Sequence, residues 1–230
     1  VDAKGEIASK SVVAPPRTGE TIKLSIDAKV QQRLFELIRA TALDVGFTAG
    51  AGALMDVWSG ELIALTSFPD YSSRVMTDGD DIEAISRYNA DFRKPFLNRA
   101  INGLYTPGSI VKPFMAAAAL AEEIITPEKE IVSTGSISIP NPYDPKKKSV
   151  FKDWKAHGPV DMRTALSVSS NVYFYEIGGG FEDQPGLGIG RIESYLRRFG
   201  FGEMLSDPFL EGPKGTIPNP AWKREQFKGE

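Results

Sequence analysis

Ser109 and Lys112 stand three residues apart in Tyr105-Thr106-Pro107-Gly108-Ser109-Ile110-Val111-Lys112-Pro113-Phe114. At the start of a helix, three residues is just under one turn, so both side chains leave the same face. A serine hydroxyl is a weak nucleophile at neutral pH and needs a neighbour to take its proton. A lysine one turn away can do so when burial or a nearby positive charge lowers its pKa. Backbone N–H groups at the helix N-terminus favour negative charge developing at the serine. Pro107-Gly108 breaks the chain just before Ser109, and the apolar run Phe114–Ala121 follows. A largely buried helix from Ser109 to about Ile124 is therefore expected. The bland alternative is a Ser109 that only N-caps a core helix and a Lys112 that is a solvated first-turn residue.

A second copy of the spacing, Ser149-Val150-Phe151-Lys152, lies in a lysine-rich, turn-rich stretch and is read as coincidence. Ser169-Ser170-Asn171 is the other chemically useful cluster. A second hydroxyl and an amide could bridge a neutral lysine, relay a proton and hold a substrate amide. The same residue types also favour turns and helix starts, so the cluster gains weight only beside Ser109 and Lys112.

Other chemistries are excluded by composition. The single histidine, His157, sits in a Gly-Pro turn, and no Gly-x-Ser-x-Gly elbow exists, which argues against a Ser-His-Asp hydrolase. There is no cysteine, no His-Glu-x-x-His and no phosphate-binding Gly-x-x-x-x-Gly-Lys. Gly186-Leu187-Gly188-Ile189-Gly190 follows no predicted strand and is read as a surface loop. With a net charge of −3 and no strongly basic tract, nucleic acid is not an expected partner. No apolar run reaches the ~18–20 residues of a membrane span. Val1 in place of Met is read as a boundary left by processing or cloning, with an anchor expected upstream.

The elements that must position these residues follow from pattern. Residues 1–19 are read as a linker or pairing arm and 20–230 as the folded part. Glu20–Ile26 alternates polar and apolar and predicts a strand; Asp27 is placed to cap a helix from about Ala28 to Leu43. Ala51–Val57 and Leu62–Ser67 flank Trp58-Ser59-Gly60-Glu61 and predict a β-hairpin. Asp78–Asp91 reads as loop with a short helix. Thr126–Pro159, with five prolines, reads as irregular. Asp161 opens a helix through Leu166. Asn171–Ile177 is open between helix and buried strand. Ile189–Phe199 predicts a basic amphipathic helix closed by Gly200, and the residues beyond Phe201 read as loop. The fold class is α/β (α+β), antiparallel sheet flanked by helices.

The order Ser109-x-x-Lys112 then Ser169-x-Asn171, 60 residues on, resembles the penicillin-recognising acyl-serine enzymes. The flanks Glu20–Gln32, Asn98–Pro113, Phe151-Lys152-Asp153-Trp154-Lys155 and Asn171–Tyr175 are similar to the transpeptidase domain of class B penicillin-binding proteins, nearest the penicillin-binding protein 2 branch of rod elongation. The resemblance covers the chain from about Gly5 to Glu230. It implies a penicillin-binding/transpeptidase (β-lactamase-like) fold and a bacterial peptidoglycan D,D-transpeptidase that cross-links D-Ala-D-Ala stem peptides and is acylated by β-lactams. It implies Ser109 as nucleophile, Lys112 as proton acceptor, Ser169 as proton relay, Asn171 as substrate-amide contact, and the Ser109 N–H as half of an oxyanion hole. No cofactor is implied. Implied partners are stem peptides, a SEDS-type glycan polymerase and elongation-complex proteins, in the bacterial cell envelope, with the protein anchored in the inner membrane and its catalytic domain in the periplasm or outside the membrane.

This chain departs from the family pattern in lacking Lys-Ser/Thr-Gly. Lys214-Gly215-Thr216 has the residue types in the wrong order and is read as a decoy. The chain is accordingly expected to be the N-terminal part of the domain, ending before the strand of the third motif. Some relatives in the branch bind zinc near positions matching Asp144, Asp153 and His157 through a set that includes a cysteine. This chain has none, and no metal is predicted. Two other readings stand beside the transpeptidase: an acyl-serine hydrolase (D,D-carboxypeptidase or β-lactamase) and a non-catalytic scaffold of the elongation complex.

Overall fold

Residues 19–141, 144–204 and 210–227 are described by the computed structural model. They fall into two compact units, Val1–Ala100 and Ile101–Glu230.

In the first unit Asp27 starts helix α1 (Ala28–Val45), its carboxylate accepting from the N–H groups of Lys29 and Val30 at 2.9 and 3.0 Å. Those are two of the donors a helix start leaves unpaired. Strands β1 (Gly50–Met55) and β2 (Leu62–Phe68) form the expected antiparallel hairpin, with a register shift at Leu54/Met55. Asp56 sets its turn by accepting from the N–H groups of Trp58 and Ser59. Helix α1 lies close on this hairpin because β1 carries glycines: a Cβ at Gly52 would sit 2.6 Å from Ile38 Cδ1. Helices α2 (Ser73–Asp78) and α3 (Ile82–Ala90) follow, capped by Ser72 and Asp81, and then α4 (Arg99–Asn102).

The strand predicted over Glu20–Ile26 does not form. The segment meets β2 only at its end, where Ser25 Oγ donates to the Leu62 carbonyl and the Asp27 N–H to the Ile63 carbonyl. The next place along that edge is filled by Gln31, whose side-chain amide both donates to the Leu65 carbonyl (2.6 Å) and accepts from its N–H (2.7 Å). A polar/apolar alternation makes a strand only where a ladder partner is free.

The second unit holds the catalytic candidates. A 3-10 turn (Gly108–Val111) leads into α5 (Lys112–Ala121). Strands β3 (Ile131–Ser133), β4 (Ser136–Asn141), β5 (Asp144–Lys152) and β6 (Gly158–Val160) pair antiparallel as β3 with β6 and β4 with β5. The region expected to be irregular thus contains four strands. Pro140, Pro145 and Pro159 lie on β4, β5 and β6, and among the described residues each of these strands pairs on one side only, which leaves an edge where a missing N–H breaks no ladder bond. Helices α6 (Met162–Ser167), α7 (Asn171–Gly179), α8 (Gly188–Arg198) and α9 (Pro220–Gln226) complete the unit. Helix α9 lies where loop was expected; Asn219 caps it from outside by accepting from the Trp222 N–H, with Pro220 opening the first turn. Among the described residues the β structure is three separate two-stranded antiparallel sheets flanked by helices.

Helix α7 is the centre of the core. Val172, Tyr173 and Ile177 are fully buried against Ala116, Ala118 and Ala119 of α5 and against Ile131 and Val160 of the β3–β6 pair. The alanine face of α5 permits this close approach. Gly186 is needed for packing too: a Cβ there would run into the backbone of Gly179 and Gly180. With Leu187 buried beside it, this glycine run is a packed lead-in to α8 and not the surface loop expected.

Candidate active site

Ser109 lies in the 3-10 turn, one residue after Gly108 at φ 61°. It makes no side-chain cap, and α5 starts three residues later than predicted and ends at Ala121, before Ile124. Ser109 therefore does not N-cap the core helix, and Lys112 is not solvated: only 7 % of it is exposed. Both bland readings fail on these positions. Ser109 is exposed, and its N–H falls in a first turn, where backbone donors have no intrahelical partner.

Lys112 Nζ meets three acceptors. It donates to the Ser169 carbonyl at 2.7 Å, to Asn171 Oδ1 at 2.7 Å and to Ser169 Oγ at 3.1 Å. The Phe174 ring lies 5.6 Å from it. Burial lowers the Lys112 pKa from its ordinary value, and the negative charge of Asp153 offsets part of that. Three of the four residues singled out in the sequence are thereby brought together. The fourth, Ser109, shares with Lys112 and Asn171 an open cleft of ≈ 320 Å³ also lined by Phe174 and Tyr175.

The Ser169 turn explains this convergence. Ser169 has φ 54°, in the left-handed region that L-residues rarely adopt. The twist turns its carbonyl and side chain to the same ammonium. Ser170 then caps α7 by accepting from the Tyr173 N–H, which settles Asn171–Ile177 as helix. Asn171 Nδ2 donates to the Lys152 carbonyl at 3.4 Å; an amide nitrogen carries a second N–H for a ligand.

Two residues of this site were not singled out as part of it. In the sequence Asp153 stands only in a flank of the resemblance and among the matched zinc positions, and Ser170 only as the x of Ser-x-Asn. Asp153 Oδ2 accepts from Ser170 Oγ (2.8 Å), the Val172 N–H (3.0 Å) and Ser133 Oγ (3.1 Å), and Oδ1 accepts from the Trp154 N–H (2.8 Å). Its side chain is fully buried. Burial by itself would raise its pKa, but the backbone N–H groups of Asn171 and Val172, the Ser170 hydroxyl and the Trp154 N–H outweigh that and hold it well below the usual carboxylate range. An Asp-Trp pair carries no such information in one dimension, because its donors other than Trp154 come from two other segments, the end of β3 and the start of α7.

The decoys separate cleanly. Ser149 and Lys152 lie on β5, where a spacing of three points side chains to opposite faces. Lys214 and Thr216 are exposed on a segment without strand structure. The zinc positions do not form a ligand set. Asp144 pairs with Lys147 at 3.2 Å, and both Asp153 oxygens are occupied by donors. His157 Nε2, 3.8 Å from Asp153 Oδ1, is buried without a hydrogen-bond partner among the described residues. Among the described residues no group of three or more His, Cys, Asp or Glu is placed to hold a metal ion.

Residues 50–228 match the family "Penicillin binding protein transpeptidase domain". The chain belongs to that family. It is 30 % identical over 230 residues to the peptidoglycan D,D-transpeptidase MrdA of Haemophilus influenzae, covering 99 % of this chain and 33 % of that protein. For MrdA of Escherichia coli K12 the figures are 28 %, 99 % and 34 %. Among solved structures it is similar to PBP2 of Helicobacter pylori in its complex with MreC (TM-score 0.76, 28 % identity, covering 100 % of this chain and 40 % of that one). It is also similar to PBP2 of Pseudomonas aeruginosa in complex with WCK 5153 (TM-score 0.72, 29 % identity, 89 % and 43 %). The chain spans about a third of the length of the curated relatives it matches.

Proposed function

We propose that this chain carries the acyl-serine chemistry of a peptidoglycan D,D-transpeptidase of the cell-wall elongation system. The observation that carries the reading is the convergence of Ser169 and Asn171 on the buried Lys112 Nζ, beside the exposed Ser109, inside a family whose named relatives are D,D-transpeptidases.

The chemistry follows from the contacts. Two of the three Lys112 partners, the Ser169 carbonyl and Asn171 Oδ1, can only accept. The neutral amine keeps two N–H donors for them, and its lone pair faces the hydroxyls. In that form it takes the proton of Ser109 Oγ as the oxygen attacks the carbonyl carbon of the penultimate D-Ala. The oxyanion formed draws on the Ser109 N–H. When the C–N bond breaks, the leaving D-Ala amine receives the proton from the Lys112 ammonium by way of the Ser169 hydroxyl. A Ser109 ester remains. An amine of a second stem attacks that ester, loses a proton to Lys112, and Ser109 Oγ regains one. A β-lactam opens by the same attack and stays as the ester.

The complex of Helicobacter pylori PBP2 with MreC supports an elongation-complex partner of that kind here. We assign the protein to the bacterial cell envelope, with a SEDS-type polymerase as a further partner and an anchor in the inner membrane. Among the described residues no helix is long and apolar enough to cross a membrane; the anchor is part of the proposal.

Intact mass after incubation with a reporter penicillin tests the chemistry on the full-length gene product. A one-to-one adduct lost in Ser109→Ala is expected. An adduct that survives Ser109→Ala would displace Ser109 as nucleophile, and rapid loss of the adduct with penicilloate release would make water the acceptor. No adduct would leave the scaffold.

A further inference from the structure

The turn after β5 carries a buried carboxylate. Asp153 sits at its start, and its carboxylate receives the Ser170 hydroxyl and the Val172 N–H, the two groups that flank Asn171. It also receives Ser133 Oγ from the end of β3. From the same turn, Trp154 Nε1 donates to the Val168 carbonyl at 3.1 Å. The Ser169 turn is therefore held on both sides, at Val168 and at Ser170–Val172, by two consecutive residues of one segment. Ser133 and Ser170 are 0 % exposed, so water does not stand in for either donor. Between the two anchors sits the one residue forced to positive φ, Ser169.

We propose that Asp153 is the positioning residue of this active site: a buried carboxylate that clamps the Ser169–Asn171 turn against Lys112 by hydrogen bonds, in the place where a metal would otherwise be looked for. The inference rests on the reading of Ser109 and Lys112 given above. Without the clamp the left-handed turn keeps only the Trp154 bond to Val168 and the backbone bonds of Ser169 and Ser170 to Leu166 and Ala165, and a Ser169 relaxed toward negative φ would turn its carbonyl and hydroxyl away from Nζ. The carboxylate also acts through space. It is the counter-charge of the Lys112 ammonium, so its removal lowers the lysine's proton affinity further. The titratable groups around this pair are His157 from the same turn, its Nε2 3.8 Å from Asp153 Oδ1, Tyr175 on α7, which lines the cleft with Lys112, and Lys152 at the end of β5.

Two effects of Asp153→Asn then separate a positioning role from a merely structural one. Acylation by a fluorescent penicillin should slow by roughly 10–100-fold, the usual loss when a residue that orients a reactive group is removed. Its acid limb should also move to lower pH, since a less basic Lys112 sheds its proton earlier. Asp153→Glu, which keeps the charge, should return the limb toward its original position. Ser170→Ala removes one donor and leaves the charge; it should slow acylation without moving the limb. This variant carries the test if Asp153→Asn does not fold by circular dichroism.

The assay is run on the full-length gene product with wild type and Ser109→Ala beside the variants. Asp153→Asn at the wild-type rate with an unmoved limb overturns the proposal while leaving the transpeptidase reading intact. So does a Ser170→Ala variant that labels as fast as wild type. Loss of wild-type labelling in a chelator, restored by zinc, overturns it in favour of a metal clamp. A wild type that takes no label removes both readings together.

Discussion

Replacing Lys112 separates its two jobs, base and hub. Lys112→Met keeps the length of the side chain but leaves the Ser169 carbonyl, Ser169 Oγ and Asn171 Oδ1 without their donor. Hydrogen bonds from a charged donor are each worth about 1.5–3 kcal/mol net, and three of them would suggest a large loss. Opposing this, removing a buried ammonium relieves a desolvation penalty of several kcal/mol. The net destabilisation is therefore about 1–3 kcal/mol, a fall of roughly 3–10 °C in Tm for a domain of this size. Lys112→Arg keeps a cation with N–H donors but never gives up its proton. Loss of a general base lowers rate by roughly 10²–10⁴-fold, which is about 3–5 kcal/mol in barrier. The expected pattern is a methionine variant that is less stable and inert, and an arginine variant that folds, melts near wild type and is equally inert. Thermal melts and the burst phase of reporter-penicillin acylation read the two quantities on the same samples. If Lys112→Arg acylated within about tenfold of wild type, the lysine would not be the proton acceptor.

The lowered Lys112 pKa predicts that acylation rises with pH and levels off below the ordinary lysine value of 10.5. Between the folded and unfolded pKa the unfolded chain binds more protons, so wild-type stability relative to Lys112→Met should climb with pH across that window; urea midpoints from neutral to alkaline pH measure it. Ser169→Gly relieves the left-handed φ of 54° while deleting the hydroxyl: stability should change by less than about 1 kcal/mol, whereas acylation should fall by about 10²-fold or more. Tyr173 is fully buried, its hydroxyl has no hydrogen-bond partner among the described contacts, and burial, then the nearby Asp161, push its pKa up to about 12. Tyr173→Phe should therefore stabilise the protein by roughly 1 kcal/mol in chemical denaturation, and a loss of that size would show that the hydroxyl is satisfied.

Features governed by a few neighbouring residues were legible in one dimension. Asp27 capping α1, Asp161 capping α6 and the Trp58–Glu61 turn that Asp56 sets depend on side-chain bonds spanning no more than three positions, and each of these elements follows from the sequence. The Ser109–Lys112 pair was legible for the same reason, since one helical turn sets it. Where local signals misled, a longer-range partner decided. The alternation of Glu20–Ile26 met an edge already occupied by Gln31, and the proline-rich stretch found strand partners such as Ser136 with Lys152. Ser169 and Asn171 could be named from type and spacing, but their meeting at Lys112 spans 57 and 59 positions. Asp153 enters the sequence reading only in a flank of the resemblance and as a matched zinc position, without a role toward Ser169 or Asn171. Its donors Ser133, Ser170 and Val172 lie 17 to 20 positions away on two other segments, the end of β3 and the start of α7. Only packing of β3, β5 and α7 around one core makes an aspartate beside a tryptophan the ionised clamp of an active-site turn.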